Sequence, residues 1–288
     1  MDNEATSYTN KRWMSATPAI DRLSLKELTL PGTHNAGCDW KADYALIPGK
    51  HWLACQHDSF YAQLNHGARS LDIRLIMDDK ASGAEKFRCH HNGYLTSRTL
   101  NDVMSDITYF LRENPDEFIM LHFQHLRGSS QSFDYKLFNE IMTKGAGNLL
   151  IPRGNGHFSL GELKKASATQ RVYAAVPYHS DLDKHLFHSK LDGRWSGISA
   201  TSVAELHKFI TEEMDSPPGR WEPWSLSATS FTVAGGPVDI HTHLNNWFDP
   251  QKSDWAQKCN IISVDFMEET NLVSYCRTAC LRNAANKT

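Results

Sequence analysis

The chain has 288 residues, 40% of them hydrophobic and 22% charged, which excludes disordered, collagen-like and coiled-coil proteins. A balance of 30 Lys and Arg against 33 Asp and Glu gives a formal net charge of −3, which argues against a nucleic-acid binder that works by phosphate neutralisation. Histidine is the departure from ordinary usage, at 15 copies, and imidazoles titrate near neutral pH or bind metals.

In chain order, residues 1–20 are polar and lack the apolar stretch of a secretory signal. Strand-length apolar runs follow at 27–30, 70–77, 87–89, 118–123, 172–176, 225–229 and 261–266. Between them, residues 99–113 predict a helix, because Leu100, Val103, Met104, Ile107, Phe110 and Leu111 recur at helical spacing and Asn114-Pro115 stops it. Residues 132–143 and 271–285 predict two more helices. The Gly-, Asn- and Pro-containing stretches at 145–161 and 215–223 read as loops rather than linkers, since the same strand pattern continues beyond each. No run of about 18 apolar residues is present to span a bilayer. The six cysteines, Cys38, Cys55, Cys89, Cys259, Cys276 and Cys280, contain no CxxC pair, so buried free thiols are expected rather than a disulfide framework.

Strand alternating with helix implies parallel pairing with the helices outside. Seven or eight such strands predict an α/β fold, a single distorted (β/α)8 TIM-type barrel. It is expected to occupy residues 1–288, with 1–22 as an N-terminal extension and 270–288 as a C-terminal helix. Most of the runs end in a polar group: His34 and Asn35 after the first, Asp72 and Arg74 in the second, His90-His91 after the third, Asp265 in the last. In a parallel barrel these ends open on one face. Two histidines, one backed by a carboxylate and the other free to protonate a leaving group, suit acid/base displacement at phosphorus, and an arginine between them would stabilise the phosphorane. Such a set cleaves a phosphodiester without metal.

The residues that carry this pattern are Leu30-Pro31-Gly32-Thr33-His34-Asn35-Ala36-Gly37, then Gly67-Ala68-Arg69-Ser70-Leu71-Asp72-Ile73-Arg74, then His90-His91-Asn92-Gly93-Tyr94-Leu95. In this order they resemble the bacterial phosphatidylinositol-specific phospholipase C family, and Asn114-Pro115-Asp116-Glu117, Ser227-Ala228-Thr229 and Val264-Asp265-Phe266 continue the likeness. The resemblance implies attack of the inositol 2-hydroxyl on the phosphodiester, releasing diacylglycerol and a cyclic inositol phosphate. It makes His34 the general base, Asp265 its orienting carboxylate and His91 the general acid, with His90 as runner-up. Arg74 would bind the phosphoryl oxygens, and Asp72 would orient Arg74 or the attacking hydroxyl. The partners implied are a phospholipid substrate and a transient membrane surface, for a secreted or extracellular monomer.

Two departures bear on this. Asn35 stands where the bacterial pattern has Asp and the calcium-dependent relatives have a metal-ligating Asn. A guanidinium at position 74 would repel calcium, which prefers six to eight oxygen ligands, so a site without metal or cofactor is the favoured expectation, Asn35 leaving calcium open; the alternatives are a metal-dependent phosphodiesterase acting on another phospholipid head group and a non-catalytic phospholipid-binding barrel. The bacterial pattern also places Lys and Arg on the fourth and fifth strands against the head group, where this chain has His122-Phe123-Gln124-His125 and Ala175-Val176-Pro177-Tyr178. Substrate binding is therefore expected from Asn35, Gln124, His125, Tyr178 and Ser227. His241-Thr242-His243 has the spacing of a zinc pair on a strand but no evident further ligand, and reads as a surface loop. Cys276 and Cys280 read as part of a buried helix face. Trp195, Trp221, Trp224 and Trp247 lie in loop-like sequence and are candidates for a rim that dips into a lipid interface.

Overall fold

A computed structural model of the chain describes residues 9–45 and 49–287. The strands are β1 (Leu30–Thr33), β2 (Ser70–Met77), β3 (Phe87–His91), β4 (Tyr94–Thr99), β5 (Ile119–Arg127), β6 (Val172–Val176), β7 (His188–Ser189), β8 (Asp192–Arg194), β9 (Trp224–Ser227), β10 (Ser230–Thr232), β11 (Gly236–Val238) and β12 (Ile261–Val264). Eight of them form a parallel sheet in the order β7-β6-β5-β2-β1-β12-β9-β8. Its two edges, β7 and β8, are consecutive stretches of chain separated only by Lys190 and Leu191. Two residues cannot reach far, so the sheet curls until its edges nearly meet. The barrel expected from the alternating pattern is present in this distorted form.

The helices are α1 (Lys50–Leu53), α2 (Phe60–Asn65), α3 (Leu100–Glu113), α4 (Tyr135–Ala146), α5 (Leu160–Ala166), α6 (Val203–Asp215), α7 (His241–Trp247), α8 (Trp255–Lys258) and α9 (Leu272–Asn286). In α3 the six apolar positions read from the sequence are the buried ones, and a Thr99–Asp102 capping box starts the helix. The β6 segment VYAAV is buried at every position, as expected of a parallel strand covered on both faces.

Three expectations shift. The run at 87–89 is not a barrel strand: β3 pairs antiparallel with β2 and β4. Asn92 and Gly93, at φ 51° and 92°, make the two-residue turn whose twist favours hairpins. The run at 27–30 enters the sheet only at Leu30, because side chains engage the segment before it. The Asn260 amide donates to Leu25 O and Leu28 O, and the Thr29 hydroxyl donates to Ala256 O and Cys259 O. The run at 261–266 stops at Val264, since Phe266 turns left-handed at φ 50°.

Of the expected N-terminal extension, residues 1–8 lie outside the described residues, as does position 288 beyond α9. From Thr9 onward the extension is packed onto the barrel: Trp13, Met14 and Ile20 are buried. An ion pair pins it. Arg69 and Glu117 are fully buried, Nη2 to Oε2 at 2.6 Å. Glu117 also accepts from the Met14 and Ser15 amides, and Arg69 donates to Lys11 O. Glu117→Ala would leave a guanidinium buried without its counter-charge and should cost about 3–5 kcal/mol, read as a lowered urea midpoint at unchanged m-value. A cost under about 1 kcal/mol, the range of an exposed pair, would contradict the pinning role.

Candidate active site

The C-terminal ends of β1, β2, β5, β8, β9 and β12, with the β3–β4 hairpin, surround a cavity of about 330 Å3. Register explains which side chains meet there. Thr33 lies opposite Val264 in the β1–β12 ladder, and His34 N–H continues it to Val264 O at 2.9 Å. His34 and Asp265, next in each strand, therefore stand side by side: Nδ1 to Oδ1 is 2.7 Å. On β2, Asp72 and Arg74 are two apart and face the cavity, while Leu71, Ile73 and Leu75 are buried behind them. Asp72 Oδ2 accepts from Arg74 Nη2 at 2.7 Å and Nε at 3.1 Å. A break in the β2–β5 register after Ile73, where Gln124 is skipped, bulges β5 and aims Gln124 at the same guanidinium, Nη2 to Oε1 2.9 Å.

The hairpin supplies the second imidazole. His91 lines the cavity, with its Nδ1 2.8 Å from Leu53 O. His90 faces away, into a second depression behind Arg74 shared with Arg127 and Tyr135. Strand alternation thus separates the two histidines that sequence left adjacent. Gly37, the last residue of the first motif, is where β3 crosses this wall: a Cβ there would collide with the Cys89 side chain.

Burial works to raise the Asp72 pKa, but the Arg74 guanidinium and then His34 outweigh it and hold the carboxyl well below its usual range. Burial pushes His91 down to about 4, against the opposing pull of the Leu53 carbonyl. Burial likewise takes His122, another cavity-lining side chain, to about 4. With Nδ1–H of His34 given to Asp265, its Nε2 is free to accept a proton.

Of the expected binding residues, Gln124, His125 and Ser227 line the cavity. Tyr178 does not: it is 90% exposed, because β6 ends at Val176 and Pro177 leads the chain away. Asn35 is fully buried off the cavity, its amide oxygen accepting from the Cys38 thiol at 3.3 Å. His241 and His243 lie in the first turn of α7, not on a strand, and Asp239 engages His241. All six cysteines are free and buried. Among the tryptophans, Trp195 lines the cavity and is 54% exposed. Trp221 precedes β9 and so lies at the opposite end of the barrel, while Trp224 and Trp247 are buried.

Sequence reading missed His122, Arg194, Ser225, Thr229 and Ser263 on the cavity wall, and Gln56 behind it. The Gln56 amide donates to His34 O and Val264 O, both at 2.9 Å, clamping the two strands that carry the dyad. His122, Ser225, Thr229 and Ser263 had a signal, their place within predicted strands; Arg194 and Gln56 had none.

A parallel α/β barrel with its ionisable cluster at the C-terminal mouth is the layout of a barrel enzyme. Residues 29–165 match the family described as phosphatidylinositol-specific phospholipase C, X domain. The chain is 33% identical over 131 residues to 1-phosphatidylinositol phosphodiesterase of Listeria monocytogenes, a stretch that covers 46% of this chain and 38% of that protein. It is 24% identical to mouse PI-PLC X domain-containing protein 2, over 92% of this chain and 86% of that one. The solved phosphatidylinositol-specific phospholipase C of Listeria superposes with a TM-score of 0.69 at 20% identity, over 98% of this chain and all of that one. Residues 29–165 thus carry a phosphatidylinositol-specific phospholipase C-like X domain.

The buried histidines make stability pH-dependent. Burial holds His90, His91, His122 and His188 at about 4, against 6.5 for a free imidazole. Between these values the unfolded chain binds more protons than the folded one, so stability rises with pH across the window and is lost as the pH falls through it. Thermal or urea midpoints should therefore drop steadily from about pH 6.5 towards pH 4; midpoints that stay level or rise on acidification would refute the neutral, buried state of these rings.

Proposed function

We propose that the chain is a phosphatidylinositol phospholipase C-type phosphodiesterase. It cleaves phosphatidylinositol or a glycosylated derivative to diacylglycerol and an inositol cyclic phosphate by metal-independent acid/base catalysis. The observation that carries this reading is the His34–Asp265 contact of 2.7 Å beside an Arg74 fixed by Asp72. In this mechanism His34 Nε2 takes the proton of the 2-hydroxyl, whose oxygen attacks phosphorus while Asp265 steadies the resulting imidazolium. Arg74 neutralises the phosphoryl oxygens as charge develops on them. His91 gives a proton to the departing glycerol oxygen. Burial disfavours its imidazolium in the empty site, and the phosphate anion supplies the counter-charge that restores it.

The donor set supports a mechanism without calcium. That ion wants six to eight oxygens, but Asp72 is committed to Arg74 and to the Asn35 amide, and Asp265 to His34. The Asn35 side chain points at Cys38 rather than into the cavity. The substrate reading draws support from the names of the relatives. Membrane contact fits the exposed apolar side chains around the mouth: Trp195, Ile198, Val233, and Trp52, whose indole donates to Ala234 O.

Turnover of phosphatidylinositol in vesicles should persist in EDTA and yield the cyclic phosphate first. His34→Ala and His91→Ala should each lower kcat by about 10²–10⁴-fold with the fold retained by circular dichroism. Arg74→Lys should cost about 10²–10³-fold, because an ammonium cannot fork onto two oxygens. A wild-type rate in His34→Ala, or activity that EDTA abolishes, would overturn the mechanism.

A further inference from the structure

The dyad has a thiol for a neighbour. A ring nitrogen of His34, Sγ of Cys55 and a carboxylate oxygen of Asp265 all lie within 4.8 Å of one another, and Cys55 Sγ is 3.7 Å from His91 Nδ1. The main chain fixes the thiol there. Phe266 N–H, directly after Asp265, donates to Cys55 O at 2.8 Å, and Cys55 N–H donates to Cys38 O at 2.7 Å. Phe266 holds its left-handed φ at this same junction. The thiol is fully buried, and besides His91 it reaches Leu53 O at 3.6 Å.

We propose that His34 Nδ1, Cys55 Sγ and an Asp265 carboxylate oxygen, with water as the fourth donor, form an inhibitory site for a thiophilic divalent cation of the zinc type. One imidazole, one thiolate and one carboxylate are donors that zinc takes, with a water completing four-coordination, at about 2.0–2.3 Å. Tetrahedral placement then sets donors on the order of 3.2–3.8 Å apart. His91 Nδ1 stays with Leu53 O, 2.8 Å away, outside the donor set. The 2.7 Å His34–Asp265 contact must open slightly, and the wider separations must close by about 1 Å to reach that geometry. The cavity, which His34 and Asp265 line, gives the ion its route in.

Proton balance shows why occupancy stops catalysis. The ion displaces the Cys55 thiol proton to solvent. Ligation at Nδ1 of His34 moves that ring's single proton to Nε2. A His34 that carries its proton on Nε2 cannot accept one from a hydroxyl, and the Asp265 oxygen that oriented it is taken by the metal. The inhibitory effect rests on the phosphodiesterase reading above; the binding does not.

The test is a cobalt(II) titration of the full chain, with zinc inhibition measured alongside. The expected result is one equivalent of cobalt bound with tetrahedral visible bands and a thiolate-to-cobalt charge-transfer band. That band should be lost in both Cys55→Ser and Cys55→Ala and kept in Cys276→Ser. Zinc should suppress phosphatidylinositol turnover of the wild type, EDTA should restore it, and the Cys55 variants should need about tenfold more zinc or beyond. Absence of the charge-transfer band in the wild type, or its survival in both Cys55 variants, would sink the site. A chain with no turnover in EDTA that still shows the Cys55-dependent band would remove the phosphodiesterase reading and uphold the metal site.

Discussion

The Asp72 carboxylate is the point on which the mouth of the barrel is built. One oxygen accepts from Arg74 and from the Asn35 amide, and the Asp72 carbonyl accepts from Ala36. A single β2 residue therefore fixes the guanidinium and also the path of the chain leaving β1. That path needs Asn35 at φ 46°, a conformation asparagine enters more readily than most residues. A buried charge pair of this kind adds little net stability, but removing one partner leaves the other stranded. Its service is positional: the arginine cannot swing to solvent, and His34 cannot drift from the wall it shares.

The dyad is a product of closure. His34 follows the first strand and Asp265 the last, 231 positions apart, and they meet only because β12 docks beside β1. Contacts of such sequence separation form late and slowly, so His34 acquires its carboxylate partner only when the barrel is complete. Gln56 completes the coupling by bonding the carbonyls of His34 and Val264 at once and accepting from Met267 N–H. An incompletely closed chain would hold His34 without its partner.

What the sequence disclosed follows from how local each signal was. Val172–Val176 was legible to the residue because a buried parallel strand writes a continuous apolar run, and Ser70–Met77 because Leu71, Ile73 and Leu75 alternate with Ser70, Asp72 and Arg74. The helix at Leu100–Glu113 was legible from its period and its caps. His188–Ser189 and Asp192–Arg194 are too short and too polar to leave any period. The hairpin was misassigned although Asn92-Gly93 marked it, because Phe87 and Cys89 were weighed above the turn that followed. In the site, residues at strand ends were readable by position, whereas Gln56, Cys55 and Arg194 depend on where loops and short strands come to rest. Tyr178 was drawn in by family position alone, and Pro177 turns it outward.

The head-group wall follows from the same structure. On the proposed reading, Lys190 comes close enough to His122 and His125 to oppose their protonation, but among the described residues no lysine lines the inositol side of the cavity. Its one further guanidinium, Arg194, is paired with Asp192 and Glu213. Gln124 already spends its amide oxygen on Arg74. The groups left to meet a polyol are hydroxyls, those of Ser225, Ser227, Thr229 and Ser263, together with His122 and His125. His122 is the telling member, because its Nε2 is buried with no partner, and an unsatisfied buried nitrogen is a standing cost that a ligand hydroxyl removes. A wall of neutral donors and acceptors discriminates by where hydroxyls sit rather than by charge, and it penalises an analogue that lacks one far more than it rewards an added anion. Replacing cations by an unsatisfied imidazole and a row of hydroxyls therefore shifts recognition from the charge of the head group to its stereochemistry.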